Sequence, residues 1–476
     1  MAYNATIGLE VHAELKTRTK MFCASKNDAH EARPNVNICP VCLAHPGTLP
    51  VINKEAVRHV LRVGLALGAK LADYTEFDRK NYFYPDLPKG YQISQYEYPL
   101  VSGGELCGIA ITRVHLEEDT ASSIHDDETG ATLIDFNRSG MPLMELVTEP
   151  VIHTAEEAGR FGRELQLLLR YLEASDADME QGQMRLEANI SVSESDTLGT
   201  KVEVKNINSF RAMERAVAYE IERQSELLSR GERVVQETRG WDDAKQQTFS
   251  QRVKEVAADY RYFPDPDLPS LKLSEIADFA PAILQDALPE LPDTRRERYA
   301  KQGIKTDDAE QFVSYPLLGA YFDTVSQSQS SDLAFIQRSA NYIANDLVSI
   351  IREMDSRDTD FKGNMPISAD RFAKIMSLIG EGKISSRVAK DLLRAVIEED
   401  KEPEIIAKER GLFSAAATDV TAVIDTILAE HASVVADYKG GKEAALQFLI
   451  GQGMRTLKGA VDPAQLRASI IERIAV

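Results

Sequence analysis

Cysteines are few in this sequence, and long apolar runs are absent. Four of its 476 residues are cysteine, which fits a reducing compartment better than a disulfide framework. No segment reaches the roughly 18 consecutive apolar residues that a transmembrane helix requires. The N-terminus lacks the basic start and apolar stretch of a secretory signal. We therefore expect a cytoplasmic protein that has no membrane span.

Common nucleotide-binding and hydrolase motifs are also missing. The sequence contains no Gly-x-x-x-x-Gly-Lys-Ser/Thr, no Gly-x-Gly-x-x-Gly, no His-Glu-x-x-His and no Gly-x-Ser-x-Gly. These absences exclude the usual phosphate loops. A nucleotide site in this chain would instead use a metal ion held by carboxylates to bridge the phosphates.

Positive charge is scarce over most of the chain. The formal net charge is −20, which argues against a protein that coats nucleic acid non-specifically. Residues 403–476, however, hold four Lys and four Arg against nine acids, so this segment is nearly neutral. A polyanion meets the smallest electrostatic penalty there, beside the clustered side chains of Lys439, Lys442, Arg455 and Lys458.

Changes in periodicity divide the chain into regions. Up to about residue 270, short alternating segments and glycine turns surround helical stretches at 54–68 and 155–173, which predicts a mixed sheet-and-helix domain. A proline-rich break follows, and from there almost every segment has helical spacing. The length requires more than one core. Two all-helical units that divide near residue 400 are the natural interpretation.

The most informative segment is a strand whose two faces differ in chemistry. From Ile7 to Leu15 the odd positions are apolar, whereas the even positions from 10 onward are Glu10, His12 and Glu14. Carboxylates beside an imidazole supply the oxygen and nitrogen donors that hold a divalent cation. The alternative is a solvent-facing strand edge.

Aromatic and basic residues alternate in the segment 77–92. Aromatic rings interleaved with Arg and Lys suit stacking on a base or ribose, with positive charge available for phosphate. A rigid surface loop packed by its own tyrosines is the alternative.

Acids cluster at the ends of further strands. Three occur consecutively at 117–119, and Glu145 follows in a later strand. Adjacent carboxylates repel one another unless a cation neutralises them, although an acidic solvated turn is the alternative. We expect these carboxylates to lie within about 4 to 6 Å of the ligand atoms of Glu10 and His12, as ligands of a shared cation do.

A hairpin extends this polar chemistry. Residues 184–192 and 201–205 alternate cleanly across a turn, which predicts an antiparallel pair. The polar faces would form either cross-strand ion pairs or the floor of a site, and they carry Arg185, Glu187, Asn189, Glu203 and Lys205.

Taken in order, these motifs resemble a known family. The segments that carry the resemblance are 7–12, 39–47, 77–92, 115–120, 135–150, 199–209 and 259–264. Together they are similar to the B subunits of the aspartyl/glutamyl-tRNA amidotransferases, and the similarity runs essentially end to end. Segments 437–442 and 448–452 resemble the helical tail that this family shares with YqeY-like proteins.

The resemblance implies ATP-dependent amidation of misacylated Glu-tRNA(Gln), Asp-tRNA(Asn) or both. In this family the B subunit phosphorylates the side-chain carboxylate of the tRNA-bound amino acid, and ammonia from the glutaminase A subunit then displaces the phosphate. It implies ATP and Mg²⁺ as cofactors and a heterotrimer with A and C subunits. The implied fold is α+β, with a mixed-sheet cradle domain at 1–292, an all-α helical domain at 293–402 and an all-α, tRNA-binding tail at 403–476.

The resemblance also indicates site residues. The metal and ATP motifs match Glu10, His12, Glu145 and either Glu117 or Glu118, which we predict as the Mg²⁺ ligands. We assign catalysis to Glu10, His12, Glu145 and Lys205. Contacts to the phosphates of ATP are assigned to Arg79, Lys80 and Arg138.

The cysteines depart from the family pattern. Many relatives carry a Cys-x-Cys and a Cys-x-x-Cys that together form a four-sulfur zinc site. Here the first pair is reduced to Cys23-Ala24-Ser25, so only Cys23, Cys39 and Cys42 remain. Zinc would need His30 or His45 as the fourth ligand. Buried free thiols are the alternative.

Two other functions remain open on the sequence. One is a non-catalytic tRNA-binding or assembly subunit, in which the acidic face is structural. The other is a stand-alone metallohydrolase. Alanine at Glu10 distinguishes the catalytic subunit from the assembly subunit, since only the first would lose activity while keeping its tRNA.

Overall fold

The computed structural model describes residues 3–28, 30–126, 128–195, 197–253, 260–354, 361, 363–413, 417–457, 461 and 463–475. The chain forms two compact units, one ending at Pro292 and the other beginning at Asp293. The first combines strands with helices, and the described residues of the second form helices. The predicted α+β class is therefore confirmed, whereas the division near residue 402 stays a prediction.

The first unit is built on a large sheet. Its helices are α1 (Lys54–Ala66), α2 (Ala155–Tyr171), α3 (Phe210–Ser229) and α4 (Pro281–Asp286). Its strands are β1 (Asn4–Glu14), β2 (Lys70–Leu71), β3 (Tyr74–Thr75), β4 (Asp78–Asn81), β5 (Tyr91–Ser94), β6 (Val101–Ser102), β7 (Glu105–Leu106), β8 (Ile109–Glu118), β9 (Ser122–His125), β10 (Thr132–Asp135), β11 (Pro142–Thr148), β12 (Met184–Ser193), β13 (Val202–Ile207), β14 (Glu237–Asp242), β15 (Gln247–Val253), β16 (Phe263–Pro264) and β17 (Leu271–Lys272).

Strand order in the large sheet is β15-β14-β13-β12-β1-β11-β8-β6-β2, and β7 pairs with β8. Neighbours run antiparallel except for β13 and β14, which are parallel. A smaller sheet has the order β16-β4-β5. The predicted hairpin is present as β12 and β13, and α1 and α2 lie within the predicted helical stretches.

The core lies on one face of the large sheet. Ile7, Leu9, Val11 and Ala13 of β1 are buried there, together with apolar side chains of α1, α2 and α3. Each of these helices begins at a residue whose side chain accepts backbone N–H groups of the first turn, namely Asn53, Thr154 and Ser209. The helices therefore cover the apolar face and leave the opposite face of β1 to polar residues.

The second unit is helical. A π-helical segment, Tyr342–Leu347, lies between two of its α-helices. Its α-helices are α5 (Pro292–Lys301), α6 (Thr306–Ser314), α7 (Pro316–Gln327), α8 (Leu333–Asn341), α9 (Val348–Met354), α10 (Ala369–Gly380), α11 (Ser386–Glu399), α12 (Pro403–Glu409), α13 (Ala417–Glu430), α14 (Ala432–Lys439), α15 (Glu443–Thr456) and α16 (Pro463–Ala475).

Helices α13 to α16 share a small core of their own, which includes Ile424, Leu449 and Ile470. Helix α12 instead packs on α10 and α11, and its Ile406 is fully buried. Among the described residues, no helix has both the length and the hydropathy needed to cross a membrane.

The four-helix core at the C-terminus is small, so it is sensitive to single cavities. Ile470 is 1 % exposed and its neighbour Ile471 is 36 % exposed. We expect Ile470→Ala to destabilise α13 to α16 by about 2 to 5 kcal/mol, since it removes buried methyl groups and leaves a cavity. Hydrogen exchange measures this effect as faster exchange in these helices. Ile471→Ala is the control, and equal effects of the two substitutions would contradict the packing described here.

Candidate metal centre

Polar side chains from neighbouring strands meet on the face of the sheet opposite the core. Alternation along β1 places Glu10 and His12 on that face, and the antiparallel register sets Glu145 of β11 directly beside His12. Strand β8 adds His115 and Glu117, because its alternate residues Val114 and Leu116 are in the core. Pairing of three strands thus brings together side chains that are far apart in the sequence.

The imidazole of His12 lies at the centre of this cluster. Its Nε2 is 3.4 Å from Glu145 Oε2, 3.6 Å from Glu117 Oε1 and 3.8 Å from Glu10 Oε1. One ligand atom each from Glu10, His12 and Glu145 lies within 4.8 Å of the others, and the same holds for His115, Glu117 and Glu145. Glu10 and Glu145 are therefore on the same side of the sheet, at the predicted separation.

Burial and neighbouring charges shift the pKa values of Glu10 and His12, and both pKa values are raised. Burial, together with the charges of Glu145 and Glu187, raises the pKa of Glu10 to about 7. Burial lowers the pKa of His12, but its hydrogen bond to Glu145 and the surrounding carboxylates outweigh this and raise that pKa to about 9. A set of three carboxylates and one imidazole whose negative charge needs compensation fits a divalent cation.

The neighbours of Glu145 stabilise its ionised form. Burial alone would raise its pKa, but the rings of His115 and His12 and the Lys80 ammonium hold the pKa well below its usual value. Arg113 Nη2 also lies 3.4 Å from Glu145 Oε1. Glu145 is thus ionised near neutral pH.

Lys80 faces the same carboxylates from β4. Burial would lower its pKa, but Glu117, Tyr262 and Glu145 raise it above the usual value. Its Nζ lies 5.3 Å from the centre of the Tyr260 ring. Lys80 therefore brings a permanent positive charge to the edge of the acidic cluster.

The β12–β13 hairpin extends the polar face on the other side of β1. Ligand oxygens of Glu10, Glu187 and Glu203 also lie within 4.8 Å of one another. Lys205 Nζ is 2.7 Å from Glu187 Oε2, and Thr238 donates a 2.8 Å hydrogen bond to Glu203. The hairpin thus supplies cross-strand ion pairs beside Glu10, whereas its role as the floor of a site stays a prediction.

Glu118 does not join the cluster, which corrects its assignment as a metal ligand there. It alternates to the opposite face of β8 from Glu117. Its Oε1 lies 2.7 Å from Lys89 Nζ and accepts a 2.9 Å hydrogen bond from the backbone N–H of Ile93. The ammonium of Lys89, rather than a metal ion, neutralises this carboxylate.

Asp119, the third acid of the segment 117–119, is also neutralised by side chains of the protein. Both Oδ atoms of Asp119 accept 3.2 Å hydrogen bonds from Arg185, and Arg138 Nε lies 3.6 Å from Asp119 Oδ2. Arg138 also donates 3.0 Å hydrogen bonds to the carbonyls of Thr120 and Ala121. Its side chain is thus hydrogen-bonded within this loop, and its assignment to phosphate stays a prediction.

Arg79 is likewise engaged elsewhere. Its guanidinium donates to Asp265 at 2.8 Å and to Asp267 at 3.1 Å, and it lies 4.3 Å from the centre of the Tyr91 ring. Alternation along β4 sends Arg79 and Lys80 to opposite sides of the strand. Of these two predicted phosphate contacts, only Lys80 faces the cluster.

The cysteines do not fit a four-ligand zinc site. Sulfur atoms of Cys23, Cys39 and Cys42 lie within 4.8 Å of one another, but no fourth donor joins that group among the described residues. His30 Nε2 instead lies 3.3 Å from Gln183 Nε2. The ammonium of buried Lys20 lies 3.9 Å from Cys42 Sγ, where it would repel a metal cation. His45, the other predicted fourth ligand, lines the same cavity as Cys23 and Cys42 but does not join their group. Three thiols and an ammonium depart from the pattern of a structural zinc centre.

Comparison with known proteins identifies the chain. A model of the GatB/GatE catalytic domain matches residues 5–277, and a GatB domain model matches residues 320–474. The protein belongs to the GatB/GatE family. Three relatives are each named as the B subunit of an aspartyl/glutamyl-tRNA(Asn/Gln) amidotransferase. One from Thermus thermophilus is 44% identical over the full length of both chains. The Thermomicrobium roseum protein is 43% identical over 100% of this chain and 99% of its own. The Carboxydothermus hydrogenoformans protein is 41% identical over 99% of each.

Sequence reasoning missed several residues of the site in this GatB/GatE chain. His115 was not among the candidates, although it alternates with core residues 114 and 116 and so shares a face with Glu117. Glu187 and Glu203 were recognised as polar but not as neighbours of Glu10. In β8 the apolar residues Val114 and Leu116 mark the buried face, so the two-residue period assigns His115 and Glu117 to the polar face. The same rule would have found His115 and selected Glu117 over Glu118.

Cation binding should be linked to proton release. Because His12 must be neutral and Glu10 ionised to act as ligands, their pKa values of about 9 and about 7 oppose binding at low pH. We expect Mn²⁺ or Mg²⁺ binding at pH 7 to release about one proton or more, and to weaken as pH falls from 8 to 6. Calorimetry in buffers of different ionisation enthalpy measures this.

Adjacent glutamates provide the control for that measurement. Glu117→Gln should weaken Mn²⁺ binding roughly tenfold or more because it removes a ligand charge, whereas Glu118→Gln should leave affinity nearly unchanged. Thermal melting checks that both variants fold. Heats independent of the buffer, or equal loss of affinity in the two variants, would contradict the site.

Proposed function

We propose that this protein is the component of an aminoacyl-tRNA amidotransferase that uses ATP to activate the side-chain carboxylate of tRNA-bound Glu, Asp or both. The relatives are named as the B subunit of that enzyme, and the match covers 99% or more of each chain. The match to a catalytic domain covers 5–277, and the acidic cluster around His12 lies within it. This cluster is the observation that carries the proposal.

The proposed reaction is that of a ligase and has two steps. An oxygen of the side-chain carboxylate attacks the γ-phosphorus of ATP, the bond to the β-phosphate breaks, and an acyl phosphate and ADP result. Ammonia then attacks the acyl carbon and phosphate leaves, which gives Gln-tRNA(Gln) or Asn-tRNA(Asn). We assign the ammonia to a glutaminase A subunit that forms a heterotrimer with this chain and a C subunit, and we place the complex in the cytoplasm.

Phosphoryl transfer to a carboxylate requires that like charges approach one another. A divalent cation such as Mg²⁺, held by Glu10, His12, Glu117 and Glu145, would neutralise phosphate charge. Lys80 and Lys205 lie on the two sides of these ligands, on β4 and β13. Their ammonium groups hold the negative phosphates and carboxylate in place by direct charge interaction, which is the role that a phosphate loop has in other enzymes.

Aromatic residues beside Lys80 supply a surface for a nucleoside. A cavity of about 820 Å³ is lined by residues 81–84 together with Tyr260, Arg261 and Phe263. The Phe83 ring is 87 % exposed, and a large exposed ring next to basic side chains suits stacking on a base. We assign this cavity to the adenosine of the tRNA end or of ATP.

The decisive experiment tests phosphorylation separately from amidation. The Glu10→Gln chain, assembled with A and C subunits, should lose carboxylate phosphorylation by roughly 100-fold or more, since it lacks one ligand charge. The assay is ADP formation in the presence of Glu-tRNA(Gln) without an ammonia donor. The basal glutaminase activity of the complex should remain, and Glu149→Gln, immediately after the end of β11, is the control.

Each outcome of that assay is informative. Normal ADP formation by Glu10→Gln would overturn the assignment of phosphoryl transfer to this cluster. Equal ADP formation by every variant and by a complex without this chain would favour the assembly role. Phosphate-ester turnover by the isolated chain would favour the metallohydrolase.

The C-terminal helices should contribute most of the tRNA affinity. Their near-neutral charge lowers the electrostatic penalty for approaching RNA. Lys439 and Lys442 flank a glycine turn, whereas Lys458, the other predicted lysine, lies outside the described residues. A chain ending at residue 413 keeps α12 and its buried Ile406. We expect this truncation to weaken tRNA binding at least tenfold and to reduce its salt dependence, while assembly with A and C subunits persists. Filter binding at several salt concentrations measures this, and unchanged affinity would refute it.

A further inference from the structure

The proposed function makes no use of the three clustered thiols. Cys39 and Cys42 belong to a Cys-Pro-Val-Cys turn, and their sulfur atoms are 3.8 Å apart. Cys23 completes the group from another loop. A disulfide requires the two sulfurs to approach from this separation to about 2.05 Å.

The surroundings of Cys42 favour its thiolate. The backbone N–H of Cys39 donates a 3.1 Å hydrogen bond to Cys42 Sγ, and Ser25 Oγ lies 3.9 Å from the same sulfur. The ammonium of Lys20 is 3.9 Å away. Lys20 is fully buried and also donates a 3.1 Å hydrogen bond to the carbonyl of Phe136. A buried cation and a backbone N–H donor stabilise a thiolate over a thiol.

Small molecules have a route to this sulfur. A cavity of about 200 Å³ is lined by Cys23 and Cys42 together with Phe22, His45 and Lys89. Cys42 itself is 4 % exposed, so bulky reagents are excluded. The cavity volume is adequate for a molecule of the size of hydrogen peroxide.

We propose that Cys42 and Cys39 form a peroxide-reactive dithiol site, in which the buried ammonium of Lys20 takes the place of a metal cation. The Cys42 thiolate attacks one oxygen of hydrogen peroxide, the O–O bond breaks, and hydroxide leaves with a proton from Lys20 or solvent. This gives a sulfenic acid on Cys42. The Cys39 sulfur then attacks Cys42 Sγ, and the sulfenic oxygen leaves as water. The two cysteines lose two electrons, and one peroxide becomes two waters.

The experiment uses the reduced full-length chain and hydrogen peroxide. We expect the intact mass to fall by about 2 Da, and peptide mapping after alkylation should locate a Cys39–Cys42 disulfide. In Cys39→Ser, dimedone added in denaturant after the peroxide treatment should label a sulfenic acid at Cys42. Cys107→Ser, which changes a cysteine between β7 and β8, should react as the unmodified chain does.

A second variant pair tests the ammonium. Lys20→Met removes the charge and should slow the oxidation of Cys42 roughly tenfold or more, whereas Lys26→Met, on the same loop but exposed, should not. Circular dichroism checks that Lys20→Met folds. Should it fail to fold, mapping of the unmodified chain and of Cys39→Ser decides the question.

Several results would overturn the proposal. One is full alkylation of Cys39 and Cys42 after peroxide treatment, and another is a disulfide that involves Cys23 or Cys107 instead. Stoichiometric zinc in the purified chain, released by thiol reagents and detected with a chromogenic chelator, would show that the thiols are metal ligands after all.

Discussion

The pairing of β1 between β11 and β12 is the constraint on which the rest of the catalytic unit depends. One face of this strand is apolar and is buried under three helices, so its register is fixed by the hydrophobic effect. Glu10 and His12 must then occupy the opposite face, at the middle of the sheet. A slip of one residue would bury both and expose Leu9 and Val11. The stability of the core and the position of the site are therefore set by the same strand.

Compensation of negative charge is the second constraint. Carboxylates packed on one sheet face repel one another, and burial strengthens the repulsion because water is excluded. The protein offsets this with cations drawn from distant segments. Lys89 and Arg185 neutralise acids that adjoin the cluster, and Lys80 and Lys205 lie at its edges. The negative charge that these cations leave uncompensated is concentrated around His12. A bound metal cation would lower the free energy most at that position.

Much of this arrangement was accessible from sequence. The period of two in 7–15 and 184–192 predicts strands with one polar face, and helical spacing predicts the stretches 54–68 and 155–173 in which α1 and α2 lie. The side chains of Glu10, His12 and Glu145 were expected to meet, and they do. The partners of Arg79 and Arg138 within the chain were not predicted, because a basic residue beside acids has many possible partners and only the packing of loops selects among them. For Arg79 the partners are Asp265 and Asp267, nearly 190 positions further along the chain.

The sequence by itself determined which residues are apolar or polar on each strand, where helices start, and which family the chain resembles, because these depend on local periodicity and on ordered motifs. Only the tertiary structure decided which strands are neighbours. Antiparallel pairing with β11 sets Glu145 beside His12, and alternation in β8 turns Glu117 toward them and Glu118 away. The tertiary structure also decided that Lys20 lies beside the thiols. Its ammonium contacts Cys42, 22 positions away, and Phe136, 116 positions away, because the loops that hold them pack together. Spatial proximity of this kind is a property of the folded chain and has no local signal in the sequence.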